Sequence, residues 1–330
     1  MRNKKKIGVI LVVFIVLGFF LGREMFDKKS TKNSSEKKVG ILQYVSHPAL
    51  DDIEKGIVKG LADSGFKENK NVKIILRNPQ ADQSKLKTMS EELIGNDSDV
   101  LVGIATPAAQ ALANQTKDIP IVLGAITDPV TAKLVKDEKK PGGNITGVSD
   151  KSPVSSQVLL VKKLLPKVRT VGILYSSSED SSKSQVEEVK HTAKKQGIFV
   201  KEYAVASTND INSVVNMAAQ EVDCIYIPND NTIASVMPTV VKIADDHKIP
   251  VIPVADTMVK EGGLATIALN QYELGVQTGR MVSQILKGKK PATMPIFSFK
   301  TGKVVINTKQ TKKLGIEIPE DVLKVATKVN

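Results

Sequence analysis

Val100-Leu101-Val102-Gly103-Ile104-Ala105-Thr106-Pro107 decides how this chain is read: an apolar run stops at a small residue and a helix-like stretch begins at once. The pattern recurs at Ile121 to Leu123 before Gly124-Ala125-Ile126-Thr127-Asp128-Pro129, and at Cys224 to Ile227 before Pro228-Asn229-Asp230-Asn231. Short apolar runs alternating with helical patterns read as parallel strands buried on both faces, so their carboxyl ends share one edge. In open α/β sheets that edge is where ligands bind. The edge residues here offer hydroxyls, carboxamides, carboxylates and backbone amides, without the Ser or Cys plus His set of a hydrolase. Such chemistry suits holding a small polar molecule without altering it.

Outward from these runs the chain divides into two similar halves. The first reads as strand Lys38 to Tyr44, helix Pro48 to Ser64, strand Val72 to Leu76, helix Ser84 to Ile94, strand Val100 to Ile104, helix Pro107 to Asn114 and strand Ile121 to Leu123, with an extended stretch Ile145 to Val148. The second reads as helix Pro153 to Leu165, strand Thr170 to Tyr175, helix Ser181 to Gln196, strand Ile198 to Tyr203, helix Asp210 to Ala219, strand Asp223 to Ile227, one long helix Thr232 to His247, and strands Pro250 to Val254 and Leu264 to Ala268. Gly65, Gly197 and the Pro breaks punctuate the units. A further helix Tyr272 to Leu286, an extended Met294 to Phe299 and a strand Val304 to Ile306 exceed what the second half needs. The chain is therefore expected to recross, giving two doubly wound α/β lobes joined by hinge strands, with a cleft that closes on a ligand. The expected division is 38–148 plus about 270–300 for one lobe and 149–269 plus about 301–330 for the other.

Ahead of these units, Arg2, Lys4, Lys5 and Lys6 precede an apolar stretch from Ile7 to Leu21. Residues 1–22 read as a membrane anchor or signal segment that sends the rest of the chain outward, and 23–37 as a flexible Lys/Ser/Asn-rich tether. No Cys stands there to take a lipid. The formal charge of +12 includes four of those N-terminal cations, and the rest is scattered Lys with five Arg in all and no aromatic-basic interleaving. That pattern is solvated surface rather than a nucleic-acid footprint. The single Cys224 lies in an apolar run, which excludes an intramolecular disulfide and a Cys-based metal site. An exported chain without a disulfide fits a Gram-positive cell surface.

His47-Pro48-Ala49-Leu50-Asp51, Ala105-Thr106-Pro107-Ala108-Ala109-Gln110, Thr127-Asp128-Pro129, Gly143-Asn144-Ile145-Thr146-Gly147, Pro228-Asn229-Asp230-Asn231, and Gly262-Gly263-Leu264-Ala265-Thr266 through Tyr272-Glu273-Leu274-Gly275 together resemble the ABC transporter substrate-binding proteins of the tryptophan/tyrosine type. The similarity runs in order over about residues 38 to 327. It implies the type I periplasmic-binding-protein fold and a monomeric receptor with no catalytic role, cofactor or metal. It further implies capture of an aromatic amino acid for delivery to a membrane permease and its ATPase. Members are commonly lipoproteins, and the missing lipobox Cys is a departure from that pattern.

Within this frame Thr106 precedes Pro107, a favoured first helical residue, so it serves as a helix cap and also places free amides and the positive helix end toward an anion. With Ala105 it is the expected seat of a ligand carboxylate. By analogy with amino-acid-binding members of the fold, Ala125 and Thr127 contact the ligand: the small residue admits backbone, and the hydroxyl donates or accepts. Asp128 beside Pro129 reads more as a turn residue. Asp230, Asn231 and Asp256 stand at successive strand ends of the second half. Asp256, and after it Asp230, is the expected counter-charge for an ammonium, although all three also suit helix starts. Tyr44, His47, Tyr175 and Tyr272 are candidate walls for an aromatic side chain. Ser176 and Ser177 are candidate contacts at the cleft mouth.

No G-x-S-x-G, G-x-G-x-x-G or G-x-x-x-x-G-K-S/T occurs, so hydrolase and nucleotide-binding classes have no motif behind them. The alternative kept open is a membrane-tethered sensor for another small zwitterion. An enzyme and a soluble repressor are both disfavoured, because no acid/base pair stands at motif spacing and no helix-turn-helix precedes Lys38.

Overall fold

The computed structural model describes residues 36–330. The membrane segment and nearly all of the tether read from the sequence lie outside the described residues. Lys37, read as the end of the tether, instead opens the first strand.

In the first half, β1 (Lys37–Gln43), β2 (Val72–Arg77), β3 (Val100–Ile104), β4 (Ile121–Gly124) and β5 (Ile145–Ser149) are all parallel and ordered β5-β4-β3-β1-β2. Every residue of β3, β4 and β5 is buried, as expected for strands with helices on both faces. In the second half, β6 (Thr170–Ser176), β7 (Phe199–Val205), β8 (Cys224–Ile227) and β9 (Val251–Pro253) form a parallel sheet ordered β7-β6-β8-β9. The orders β2-β1-β3-β4 and β7-β6-β8-β9 are the same winding used twice, which is the structural form of the repeat read from the sequence.

The rest of the chain stitches the two sheets together. β10 (Ala265–Ala268) runs beside β9, with the Leu264 amide donating to the Val251 carbonyl at 2.7 Å. β11 (Phe297–Ser298) then adds to the free edge of β5, pairing Phe297 with Val148, and β12 (Lys303–Asn307) returns to pair antiparallel with β10. β13 (Thr327–Val329) closes that small sheet. The chain therefore passes between the sheet systems after Ser149, after Ala268 and after Ser298.

One hydrophobic core fills the first lobe and takes in Leu274, Met281 and Val282 from the helix Gln271–Leu286. Two cores cover opposite faces of the β6–β9 sheet. The helix Gln271–Leu286 crosses the helix Pro48–Asp63 at backbone contact through Gly56, Gly60, Gly275 and Gly279. A Cβ on Gly56 would lie 2.2 Å from the Tyr272 carbonyl oxygen, and one on Gly275 2.1 Å from that of Ile53. The long helix expected over Thr232 to His247 is instead two, Asn231–Ala234 and Met237–Asp246. Pro238 lacks an amide proton and so belongs in the first turn of a new helix, not in the interior of a continuous one. A short helix, Asp256–Lys260, follows β9, where the sequence reading gave no helix bounds but took Asp256 as suited to a helix start.

Candidate functional site

The carboxyl ends of β3 and β4 in one lobe face those of β8 and β9 in the other across a narrow cavity lined from both sides. At the end of β3, Ala105 adopts φ 73° and ψ 154°, and at the end of β4, Ala125 adopts φ 62°. Both lie where a Cβ is disfavoured, and such backbone costs about 1–3 kcal/mol per residue. It persists because the strand ends are locked: Gly103 packs so closely under the next helix that a Cβ would lie 2.6 Å from the Cα of Ala109. The turn at Ala105 aims the helix Thr106–Gln115 at the cavity, so the cap is Ala105 and not Thr106, which is the first helical residue and makes no side-chain cap bond. Its first turn leaves the Thr106 and Ala108 amides without intrahelical acceptors, while Pro107 has none to satisfy.

Asp150 stands just past β5 and also lines the cavity. Its Oδ2 accepts from Asn229 Nδ2 at 3.2 Å, but its Oδ1 is buried with no partner. Burial pushes its carboxyl up to about 6, partly offset by the Thr127 hydroxyl. A desolvated carboxylate oxygen without a donor is costly, so a cationic partner placed there would be held strongly. Ser181 Oγ, on the same cavity, is likewise buried and unpartnered.

Two hydrogen bonds cross the cavity. Asn229 Nδ2 donates to Thr127 Oγ1 at 3.1 Å, and His47 Nε2 stands 3.3 Å from Asn231 Oδ1. Farther out, Gln110 Nε2 donates to Asp180 Oδ2 at 3.2 Å. Burial lowers His47 to about 4, so its ring is neutral at pH 7. The remaining wall is small or aliphatic: Ala49, Ala234, Val254, Ala255 and Met258.

Of the residues singled out from the sequence, His47, Ala105, Thr106, Ala125, Thr127, Asp230 and Asn231 line this cavity. Asp230 is fully engaged within its own lobe, accepting from the Ser176 amide and Ser182 Oγ at 2.6 Å each and from the Ile233 amide at 2.9 Å. Asp256 pairs with Lys260 Nζ at 3.0 Å and lines a separate cavity with Lys303 and Asn270. Tyr44 is buried and does not line the cavity; its hydroxyl accepts from Gln83 Nε2 at 3.0 Å. Tyr175 donates to Glu202 Oε2 at 2.9 Å, and Tyr272 lies on the helix that crosses Pro48–Asp63. Ser176 Oγ pairs with Ser178 Oγ at 2.8 Å and Ser177 Oγ donates to the Val205 carbonyl at 3.3 Å. Asp128 accepts from the Thr131 amide at 2.9 Å, the turn role its Pro129 neighbour suggested.

Asp150, Ser181, Asn229 and Gln271 line the cavity without having been singled out as contacts. Asp150 had the same signal as its neighbours, a polar residue directly after a buried strand, but Val148 to Lys151 reads equally well as a hinge. No group of three His, Cys, Asp or Glu suited to a metal ion occurs among the described residues.

A family model described as ABC transporter substrate binding protein matches residues 38–330. The tyrosine-binding protein of Clostridioides difficile strain R20291 is 34% identical over 323 residues, covering 96% of this chain and 94% of that protein. An ABC domain from Streptococcus pneumoniae, solved in complex with L-Trp, is 55% identical with a TM-score of 0.88, covering 90% of this chain and 100% of its own. A substrate-binding protein with adhesive properties from Clostridium difficile, solved ligand-free and open, is 39% identical with a TM-score of 0.68, covering 89% of this chain and 100% of its own. The paired parallel sheets and their recrossing chain are the type I periplasmic-binding-protein fold, shared with solved structures under 25% identical. With the family model spanning both lobes, the chain belongs to the ABC transporter substrate-binding protein family.

Proposed function

We propose that this chain captures an aromatic L-amino acid, tryptophan or tyrosine, between its lobes and presents it to an ABC permease and its ATPase on the outer face of the plasma membrane. One observation carries the ligand class. A buried carboxylate oxygen without a donor, Asp150 Oδ1, and the free amides at the start of the helix Thr106–Gln115 border the same cavity. A zwitterion supplies an ammonium for the first and a carboxylate for the second, with Thr127 Oγ1 beside both.

The ammonium is assigned to Asp150 in preference to Asp256 and Asp230. Asp256 already has a cation in Lys260 and lines another cavity, and Asp230 already accepts three donors. The side chain then lies along Ala49, Ala234, Val254 and Met258, with the neutral His47 ring at its edge. A relative named as a tyrosine-binding protein, and one solved with L-Trp, support the aromatic class. The higher TM-score with the L-Trp complex than with the open relative, together with three bonds from lobe to lobe, supports a closed arrangement. The receptor works as a monomer tethered through its N-terminal segment.

Because the chain contains no tryptophan, binding of L-tryptophan can be followed by ligand fluorescence excited at the red edge, where tyrosine does not absorb, and that of L-tyrosine by calorimetry. At 100 times its dissociation constant either ligand should add about 2.7 kcal/mol to folding stability. Ribose and glucose should add nothing. Stabilisation by the sugars with no response to either amino acid would overturn the ligand class.

A further inference from the structure

Glu179 is fully buried at the start of the helix Asp180–Lys195, yet it does not line the cavity. Its carboxylate, just past β6, takes four donors from the segment that follows the neighbouring strand β8. Oε2 accepts from the Asn231 amide at 3.1 Å and from Asn231 Nδ2, and Oε1 accepts from the Thr232 amide at 2.7 Å and Thr232 Oγ1 at 2.8 Å. Burial and the Asp230 charge raise Glu179 to about 7, and above that pH its ionised carboxylate offers about four lone-pair sites and donates nothing, so every site is used and every partner must donate. Asn231 therefore has its NH2 turned to Glu179, and its carbonyl oxygen is left facing His47 Nε2 in the opposite lobe.

We infer that Glu179 is a positioning residue for lobe closure. By fixing which end of the Asn231 carboxamide faces the cleft, it makes His47 the donor and Asn231 the acceptor in the bond that latches the lobes. The neutral state of His47 completes the assignment, because a neutral ring donates from only one nitrogen and this contact requires that nitrogen to be Nε2. Glu179 thus acts on closure through Asn231, from a place where it touches neither ligand nor opposite lobe in this contact. The inference rests on the cleft-closure reading above.

Glu179→Gln keeps the shape but replaces one acceptor oxygen by an NH2 facing donors. Set toward Asn231, the NH2 turns the Asn231 carboxamide over, so that donor faces donor at His47. A double-mutant cycle tests this, because residues coupled only through Asn231 should still fail to add. In otherwise wild-type protein, Glu179→Gln should weaken L-tryptophan affinity about tenfold, or ~1.4 kcal/mol. In a His47→Ala background, which has no latch to lose, the same change should cost less than about twofold. Equal losses in the two backgrounds would overturn the inference. Should Glu179→Gln fail to fold, 15N NMR of the wild-type His47 ring decides it: protonation at Nε2 is expected, and a ring protonated at Nδ1 with bare Nε2 would overturn it. If the wild type binds neither tryptophan nor tyrosine, the ligand reading falls alone. The same cycle read by thermal unfolding, which needs no ligand, then decides the latch, with coupling supporting it and additivity overturning it.

Discussion

Asp150 gathers in one side chain what the proposed ligand needs: burial, a free carboxylate oxygen and a place beside Thr127. Asp150→Asn should weaken L-tryptophan binding by about 2–5 kcal/mol, the usual cost of stranding a buried charge on its partner. The same variant should bind indolepropionate, which lacks the ammonium, nearly as the wild type does. Asp256→Ala should leave tryptophan affinity unchanged. Calorimetry on the two variants with both ligands separates the assignments, and an unaffected Asp150→Asn would return the ammonium to another carboxylate. The pH dependence follows with opposite signs for stability and binding. Asp150 is raised from 3.8 to about 6, so between those values the folded chain holds a proton that the unfolded chain has lost. Stability of the unliganded protein should therefore fall as pH rises through that window, and Glu179, raised to about 7 by burial and the Asp230 charge, extends the trend. Tryptophan affinity should move the other way, weakening about tenfold per pH unit below pH 6, because the ammonium needs the ionised carboxylate. Thermal unfolding and calorimetry over pH 4.5–8 read the two slopes. Asp150 escaped the sequence reading because its donor, Asn229, lies 79 positions along the chain. Asp256, in contrast, stands four residues before Lys260, a helical ion-pair spacing that was open to view.

At the scale of elements, the strands were legible except for the closing β13, and the helix contacts were not. Fully buried runs such as Val100–Ile104 announce themselves by unbroken apolar character and by the small residue that ends each one. Helix breaks and crossings depend on single residues whose meaning is tertiary. Pro238 split a helix that hydrophobic periodicity alone carried through to His247. Gly56, Gly60, Gly275 and Gly279 look like ordinary helix-weakening residues until the two helices are brought together. Their crossing fixes the late helix Gln271–Leu286 to the first lobe and so brings Gln271 to the cavity. Gly275→Ala should destabilise the protein by about 1–3 kcal/mol or more, since its Cβ would meet backbone rather than a side chain that can turn away. Gly95→Ala, whose Cβ meets nothing within 4 Å, should change stability little. Urea midpoints for the two variants test the contrast, and a neutral Gly275→Ala would mean that the helices can part without cost.

Over the whole molecule, the bonds between lobes set how tightly a ligand is held, because a closed form stabilised in advance leaves less of the binding free energy to be spent on closing. The contacts differ in kind. Gln110 reaches Asp180 at the exposed periphery, whereas Asn229 stands over the cavity and donates to Thr127, to Asp150 and, at 3.4 Å, to Ser152 Oγ. A solvent-exposed hydrogen bond contributes little net free energy, but removing one amide that serves several buried acceptors leaves them unsatisfied together. Gln110→Ala should therefore change tryptophan affinity by less than about 1 kcal/mol. Asn229→Ala should cost about 1–3 kcal/mol and should appear mainly as faster dissociation, since closure governs escape more than encounter. Stopped-flow fluorescence of the bound indole gives both rate constants, and small-angle scattering of the unliganded Asn229→Ala protein should show a more extended particle that compacts when tryptophan is added. A variant that dissociates tryptophan at the wild-type rate and scatters as the wild type does would mean that the Asn229 bonds follow closure rather than hold it. The latch would then rest on His47 and Asn231 alone.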